Sequence, residues 1–260
     1  MQSIKLGNFE VEIYPFNDQS PTIFIFPGGG YMMNSENEGK PVAKRFNEYG
    51  FSSVVLKYCM HCGVYPKILE ELDGTLKYVC NNATNFNISV TQCVGIGFSA
   101  GGNLLVNYIE SIKADKYHFF NYNLRAIALC YGMLDVSSLS SSNNQLQQFY
   151  ESIIYHMTGQ TDNAIDHLRL LSPMYHIANI PTFLWHTRDD ALIPCEQTLQ
   201  YSLGLKQMNI PFELHVFESG PHGLSLADKT TASHSYQERK DISIWVQLFV
   251  IFVKKYLNAK

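Results

Sequence analysis

The sequence has no strongly charged segment and no hydrophobic run long enough to cross a membrane. Its 19 basic residues nearly balance 23 acidic ones, and the basic residues form no block, so we expect no nucleic acid partner. The most apolar stretch, residues 242–253, is shorter than the roughly 20 residues that span a bilayer. We therefore expect a buried helix there and no membrane association. The first residues lack a positive segment followed by an apolar core, which predicts no signal peptide and a cytoplasmic protein.

Cysteine is also scarce, with six residues in a chain of 260. A chain of this size buries roughly 70–75% of its surface and folds without disulfides, so we expect free thiols. Cys93 and Cys130 lie in apolar runs and are predicted core residues. Cys59 and Cys62 are spaced like half of a zinc site, but no second ligand pair accompanies them. The sequence therefore predicts neither a metal nor another cofactor.

Short strand-like runs alternate with longer helical patterns, which is typical of a mostly parallel central sheet with helices on both faces. After an edge strand or hairpin over residues 4–14, the predicted strands are residues 22–26, 52–58, 92–98, 126–131, 182–187 and 212–217. The alternation stops at residues 133–180, which are polar at first and then helix-compatible. We predict one α/β domain over residues 1–260, with residues 133–180 as a small cap-like insertion over the strand ends, where sites lie in such folds. A plain surface insertion is the alternative.

The segment Gly97-Phe98-Ser99-Ala100-Gly101 is the most informative motif in the chain. It has the pattern G-x-S-x-G, and it joins an apolar run to a helix-like one. A serine on such a sharp strand-to-helix turn exposes its hydroxyl above a sheet, and the glycines relieve the crowding of the turn. We predict that Ser99 is a catalytic nucleophile. The alternative is a glycine-rich turn with an incidental serine.

A serine nucleophile needs a base, and the base needs an orienting acid. His222 lies between a proline and a glycine after the last predicted strand, and free histidine titrates near pH 6.5, about where such a base works. We predict it as the base. Asp189 and Asp190 follow the preceding strand, which gives the chain order Ser, Asp, His. These residues alone do not select one aspartate, and we interpret the nearby His186 as structural or supporting.

Three glycines, Gly28 to Gly30, follow the predicted strand of residues 22–26. They allow the backbone to direct N–H groups toward a point near Ser99. Together with the amide of Ala100, these groups are placed to hold the anionic oxygen of a tetrahedral intermediate. A phosphate-binding loop is the alternative, but it requires a lysine and a Ser or Thr after the glycines. Here Tyr31 and two methionines follow, so we predict an oxyanion hole.

Taken together, the motifs resemble those of the α/β-hydrolases, and specifically a branch of small acetyl esterases similar to acetylxylan esterases. The resemblance extends from about residue 20 to residue 250 and is carried by Pro27-Gly28-Gly29-Gly30-Tyr31, Gly97 to Leu104, Trp185 to Pro194 and Gly220 to Gly223. It implies the α/β-hydrolase fold. It also implies that Asp190, four residues before the proline of its loop, is the triad acid, and that Gly29, Gly30 and Ala100 donate to the oxyanion.

The chain departs from this branch at two points. Tyr58 is followed by Cys59, whereas the family often has Tyr-Arg there. Pro27 replaces the histidine of the commoner His-Gly-Gly-Gly loop. We expect the second change to matter little, because backbone amides hold the oxyanion.

The resemblance implies a serine esterase for small acyl esters, acetyl first, of sugars or xylo-oligosaccharides. We expect a small-molecule ester as its partner, with Tyr31 and residues 133–180 near the acyl group, and a homo-oligomer is compatible with the sequence. The alternatives are a peptidase or an arylformamidase of the same fold, or a non-catalytic binding module.

Overall fold

An eight-stranded sheet runs through the centre of the structure, a computed structural model that describes residues 1–58, 64–112 and 124–257. Its strand order is β1-β2-β4-β3-β5-β6-β7-β8, numbered along the chain. The first strand is antiparallel to the second and the second to the fourth, and all other neighbours are parallel. The strands are β1 (Gln2–Leu6), β2 (Phe9–Tyr14), β3 (Thr22–Phe26), β4 (Ser52–Lys57), β5 (Cys93–Phe98), β6 (Leu124–Cys130), β7 (Thr182–Thr187) and β8 (Phe212–Phe217).

Helices between the strands, and two after the last strand, cover both faces of the sheet. They are α1 (Lys40–Glu48), α2 (Lys67–Asn81), α3 (Ala100–Ile112), α4 (Asn144–Thr158), α5 (Ile165–Leu170), α6 (Cys195–Gln207), α7 (Lys240–Ser243) and α8 (Trp245–Leu257). Short 3-10 helices form at Glu36–Glu38, Val136–Ser138, Pro173–Tyr175 and Ser235–Gln237. The predicted α/β class, with a mostly parallel sheet between two helical layers, is confirmed.

Two hydrophobic clusters form the core, one on each face of the sheet. In β3, Ile23 and Ile25 belong to one cluster, whereas Phe24 and Phe26 belong to the other. This alternation follows from the period of two of a strand, whose side chains point to opposite faces in turn. Because both faces are covered, the central strands are apolar at nearly every position, as the sequence predicts.

The C-terminal helix α8 belongs to the cluster on the same face as α1. Trp245 and Phe249 are completely buried there, which confirms the predicted buried helix. Within the described parts of the chain, no helix has the length and apolarity that crossing a membrane requires.

The chain between β6 and β7 leaves the sheet and forms α4 and α5. Ile153 of α4 lies over the glycine loop, since a Cβ built on Gly30 would come within 3.1 Å of its Cγ1. The hydroxyl of Tyr150, also on α4, donates to the carbonyl of Leu192 at 2.7 Å. Helix α4 therefore contacts two loops at the carboxyl edge of the sheet. Whether this segment works as a cap stays a prediction.

The cysteines that the structure describes are free thiols, and all are buried: Cys80, Cys93, Cys130 and Cys195. This confirms the predicted core positions of Cys93 and Cys130. Cys59 and Cys62, the pair with metal-like spacing, lie outside the described residues. In the described ranges, no group of three or more His, Cys, Asp and Glu side chains is arranged to hold a metal ion.

Candidate active site

Ser99 stands on a tight turn between β5 and α3. Its φ angle is 50°, a left-handed conformation that a residue with a side chain adopts only under constraint. The helix lies unusually close to the strand, because a Cβ on Gly97 would come within 2.5 Å of Gly102 Cα and one on Gly101 would overlap the carbonyl oxygen of Phe26. The two motif glycines are therefore required by packing, and they fix the serine at the edge of the sheet.

Three loops bring Ser99, His222 and Asp190 together. The Nε2 atom of His222 lies 2.9 Å from Ser99 Oγ, and its Nδ1 atom lies 2.7 Å from Asp190 Oδ2. The side chain of Asp190 is fully buried and that of His222 is 13% exposed. Since a carboxylate accepts, Nδ1 of His222 carries a proton and Nε2 is free to accept the serine proton. This arrangement matches the geometry by which serine hydrolases activate a serine.

Asp190 is held in its ionised form by its neighbours. Burial alone would raise its pKa, but hydrogen bonds from His186 and His222 outweigh burial and hold the pKa well below its usual range. The other carboxylate oxygen accepts the backbone N–H groups of Leu192 and Ile193 at 2.9 and 3.0 Å. With four donors, the carboxylate has one orientation, and that orientation faces His222.

His186 supports this carboxylate from the opposite side. It is completely buried, and its Nε2 faces both Asp190 Oδ2 at 3.1 Å and the carbonyl of Ile193 at 3.0 Å. Because both partners are acceptors, Nε2 carries the proton, and Nδ1 accepts from Thr198 Oγ1 at 2.7 Å. This is the supporting position that the sequence predicts for His186.

Asp189 has a different partner from its neighbour. Its Oδ1 accepts the backbone N–H of Gly220 at 2.7 Å, so it braces the loop that carries His222. The residues alone leave open which of Asp189 and Asp190 is the acid, and the structure gives the two aspartates different partners. Only Asp190 contacts the imidazole.

The glycine loop lies directly beside Ser99. A Cβ on Gly28 would come within 2.9 Å of Ser99 Cβ, and one on Gly29 would overlap the carbonyl oxygen of Met33. Gly29 and Gly30 have φ angles of 124° and 63°, which glycine adopts without strain. Within the part of the chain that the structure describes, the amides of Gly29, Gly30 and Ala100 donate to no protein acceptor, which leaves them available to an anion.

The structure differs from the sequence prediction at Tyr31. This residue has no exposed surface, and its hydroxyl bonds to Tyr65 at 2.7 Å and to the side-chain oxygen of Asn103 at 2.8 Å. It therefore offers no surface to a substrate in this conformation. The apolar ring and its two polar partners favour burial, and the side chain ties the glycine loop to helix α3.

A cleft of about 530 Å³ lies on the outer side of His222. Its wall includes an exposed aromatic ring, Tyr236, which is 62% exposed and stacks on His234 with the ring planes 12° apart. Asp189, Arg239 and Leu192 contribute charged and apolar surface. This combination of an exposed aromatic ring and charged groups is suited to a polar ligand that has an apolar face.

Two residues that the sequence analysis does not single out also reach the site. Tyr131 follows β6, and its ring meets the imidazole of His222 edge to face, with 4.9 Å between the ring centres. Glu38 is buried beneath the glycine loop and accepts the N–H of Gly28 at 2.7 Å. The signal for Tyr131 is its place at the end of a parallel strand, but Glu38 lies in a polar run and gives no such signal.

Comparison with known proteins identifies a protein family whose model matches most of this chain. A family model described as BD-FAE matches residues 13–205. The endo-1,4-beta-xylanase B of Butyrivibrio fibrisolvens is 26% identical over 218 residues, which are 79% of this chain and 33% of that protein. The acetylxylan esterase of Xylanibacter ruminicola is 24% identical over 241 residues, which are 90% of this chain and 46% of that protein. The chain thus spans about a third to a half of the length of these relatives.

Solved structures match over nearly the whole chain. The carboxylesterase Cest-2923 of Lactobacillus plantarum has a TM-score of 0.82 at 24% identity, covering 100% of this chain and 98% of its own. The sugar hydrolase YeeB of Lactococcus lactis has a TM-score of 0.81 at 26% identity, covering 98% and 97%. An acetyl ester-xyloside bifunctional hydrolase of Caldicellulosiruptor lactoaceticus has a TM-score of 0.74 at 28% identity, covering 94% and 89%. These similarities confirm the α/β-hydrolase fold.

Proposed function

The chain belongs to the BD-FAE family, and from that premise we propose that it is a serine ester hydrolase that releases small acyl groups, acetyl first, through an acyl-enzyme. The observation that carries the proposal is the 2.9 Å contact between Ser99 Oγ and His222 Nε2. A serine hydroxyl is inert on its own, but an imidazole that is oriented by a buried carboxylate removes its proton as it attacks.

In the proposed reaction, Ser99 Oγ attacks the ester carbonyl carbon while His222 Nε2 takes the serine proton. The carbonyl oxygen becomes negative and accepts hydrogen bonds from the amides of Gly29, Gly30 and Ala100. His222 then gives its proton to the departing alcohol oxygen, and the acyl group stays on Ser99. His222 Nε2 then takes a proton from a water molecule as the water attacks the acyl carbonyl carbon. The bond between that carbon and Ser99 Oγ breaks, His222 returns the proton to Oγ, and the acid leaves.

Two observations support an acylated sugar as the substrate. Relatives of the chain include an acetylxylan esterase and an acetyl ester-xyloside bifunctional hydrolase. The cleft beside His222 offers an exposed Tyr236 ring together with charged groups. Ligand sites combine aromatic surface with a few polar groups that fix orientation, and a sugar has both apolar faces and hydroxyls to match them. We propose that this cleft takes the alcohol part of the ester, and that residues 133–180 cap the acyl part.

The proposal predicts hydrolysis of p-nitrophenyl acetate and of acetylated xylo-oligosaccharides by the purified protein. Ser99→Ala removes the nucleophile and should lower kcat on the order of a million-fold, as in other serine hydrolases. Ser202→Ala is the matched control, because Ser202 is buried in α6 and, among the residues that the structure describes, its hydroxyl bonds only to the carbonyl of Leu199 in its own helix. It should leave kcat unchanged.

A panel of esters, amides and formamides distinguishes the alternatives. Turnover of amides or formamides in preference to esters would favour a peptidase or an arylformamidase. If a fluorophosphonate probe failed to label Ser99, a binding module would become the better interpretation. Unchanged turnover by Ser99→Ala would refute the nucleophile.

A further inference from the structure

A second buried carboxylate, Glu38, lies close to the proposed site. It ends the short helix Glu36–Glu38 and is only 2% exposed. Among the residues that the structure describes, no lysine or arginine forms an ion pair with it, whereas its neighbour Glu36 pairs with Lys57 at the surface. A buried carboxylate without a cation is costly unless hydrogen bonds compensate for the lost water. Its position therefore calls for an explanation.

The partners of Glu38 are hydrogen-bond donors. Its Oε2 accepts the N–H of Gly28 at 2.7 Å, and its Oε1 accepts the hydroxyl of Tyr131 at 2.7 Å. The oxygen of Tyr131 in turn accepts the N–H of Ser225 at 2.9 Å, so the tyrosine proton is free to point at Glu38. Burial raises the pKa of Glu38, and hydrogen bonds from Tyr131, Gly28 and Ser35, together with the electrostatic interaction with His222, offset part of that rise. The arrangement suits a carboxylate that only accepts.

The hydrogen bonds from Gly28 and Tyr131 connect Glu38 to two parts of the site, the glycine loop beside Ser99 and the ring that packs on His222. Gly28 immediately precedes the two glycines whose amides are proposed to hold the oxyanion, and it lies against Ser99. Tyr131 packs its ring edge to face on the imidazole of His222, with 4.9 Å between the centres. Glu38 thus joins the loop that faces the developing oxyanion to the wall behind the base.

We propose that Glu38 is a positioning residue for the reaction, which holds the glycine loop through Gly28 and the base through Tyr131. This inference rests on the proposed function. A displacement of about 1 Å in a catalytic group costs on the order of a hundredfold in rate. The three glycines have no side chains of their own, so the loop depends on hydrogen bonds to its backbone and on Tyr31, which follows it. The negative charge of Glu38 also stabilises the imidazolium that forms on His222. Asp190 stabilises the same imidazolium by direct contact.

Glu38→Gln tests the inference, with Glu36→Gln as the matched control on the same helix. Glutamine keeps the size of the side chain but removes the charge and turns one acceptor into a donor, which opposes the donor of Gly28 or Tyr131. We expect kcat on p-nitrophenyl acetate to fall ten- to a hundredfold with KM changed less than threefold, as follows from a roughly 1 Å displacement. A boronic acid, whose adduct on Ser99 imitates the tetrahedral intermediate, should bind weaker by a similar factor. Glu36→Gln should stay within twofold of wild type.

Tyr131→Phe removes the hydrogen bond from Tyr131 to Glu38, together with the acceptor of the Ser225 N–H, and keeps the ring against His222. It should lower kcat several-fold, and adding it to Glu38→Gln should lower kcat by less than the product of the two single effects, because both changes break the same hydrogen bond. If Glu38→Gln does not fold, Tyr131→Phe decides, and an unchanged kcat in it would overturn the inference.

The same measurements separate the inference from the proposed function. If wild type hydrolyses esters and Glu38→Gln matches Glu36→Gln in kcat and boronate affinity, Glu38 has no positioning role and only this inference fails. A loss of kcat in Glu38→Gln with unchanged boronate affinity would also overturn it. A wild-type protein without esterase activity would refute the proposed function, and this inference with it.

Discussion

Replacing Asp190 by asparagine should disable the site while leaving the fold in place. The carboxylate accepts four hydrogen bonds, from the imidazoles of His222 and His186 through Oδ2 and from the amides of Leu192 and Ile193 through Oδ1. Asparagine at 190 keeps one acceptor, and the two amides require it. Its NH₂ group must then face both imidazoles, each of which presents an N–H in this structure.

The size of the expected loss of kcat follows from the tautomer that His222 must adopt in Asp190→Asn. To accept from the asparagine NH₂, Nδ1 must lose its proton, and the proton of the neutral imidazole moves to Nε2. A protonated Nε2 cannot accept the proton of Ser99, which lies 2.9 Å away. His186 cannot accept from the asparagine NH₂ instead, because its Nε2 must keep its proton to donate to the carbonyl of Ile193. In a comparable serine triad this tautomer error lowers kcat about 10⁴-fold, or about 5 kcal/mol of barrier.

Steady-state hydrolysis of p-nitrophenyl acetate checks this expectation, with Asp189→Asn as the matched control. Asparagine at 189 keeps an oxygen to accept the N–H of Gly220, so its kcat should fall less than tenfold. Circular dichroism should show that both variants are folded. A loss below tenfold in Asp190→Asn, or an equal loss in the two variants, would refute the tautomer argument and Asp190 as the triad acid.

Two further predictions concern stability. Gly101→Ala should prevent folding or lower the melting temperature strongly, because its Cβ would overlap the carbonyl oxygen of Phe26. In the control Gly74→Ala in α2, the added Cβ meets nothing within 4 Å, and the change should stabilise the fold by roughly 0.5–1 kcal/mol. Equal melting temperatures of the two variants would contradict the packing argument. The depressed pKa of Asp190 means that its ionised form stabilises the fold fully above its unfolded pKa of about 3.9, a contribution that is lost as pH falls further. Urea unfolding of Asp190→Asn should therefore show a weaker loss of stability from about pH 5 to pH 2 than wild type, and parallel curves would exclude this role.

Most of the sheet was predictable because a parallel strand that is covered on both faces must be apolar along its length. The predicted bounds of residues 22–26, 182–187 and 212–217 agree with β3, β7 and β8. These runs are short, rich in branched and aromatic residues and bounded by turn residues, so their ends are marked in the sequence. The segment of residues 133–180 carries no such periodic signal, and its helices were foreseen only as helix-compatible chain.

The site was predictable where local chemistry marks it. Glycines around Ser99 and the strand-end position of His222 are local features, and the structure brings these residues together. The separate partners of Asp189 and Asp190 depend on how one loop folds over another, which spacing does not encode. Glu38 was missed for the same reason, because its burial depends on a short helix that packs beneath a loop distant in sequence.

Carboxylates hold all three loops that meet at Ser99. Asp190 accepts two amides of its own loop, Asp189 accepts the amide of Gly220, and Glu38 accepts the amide of Gly28. The loops of Gly28 and Gly220 contain few side chains that could be buried, and a hydrogen bond to an ionised acceptor is roughly twice as strong as a neutral one. The acids around the proposed base therefore also anchor backbone N–H groups, and we expect the loss of any of these charges to loosen a loop before it disturbs the apolar core.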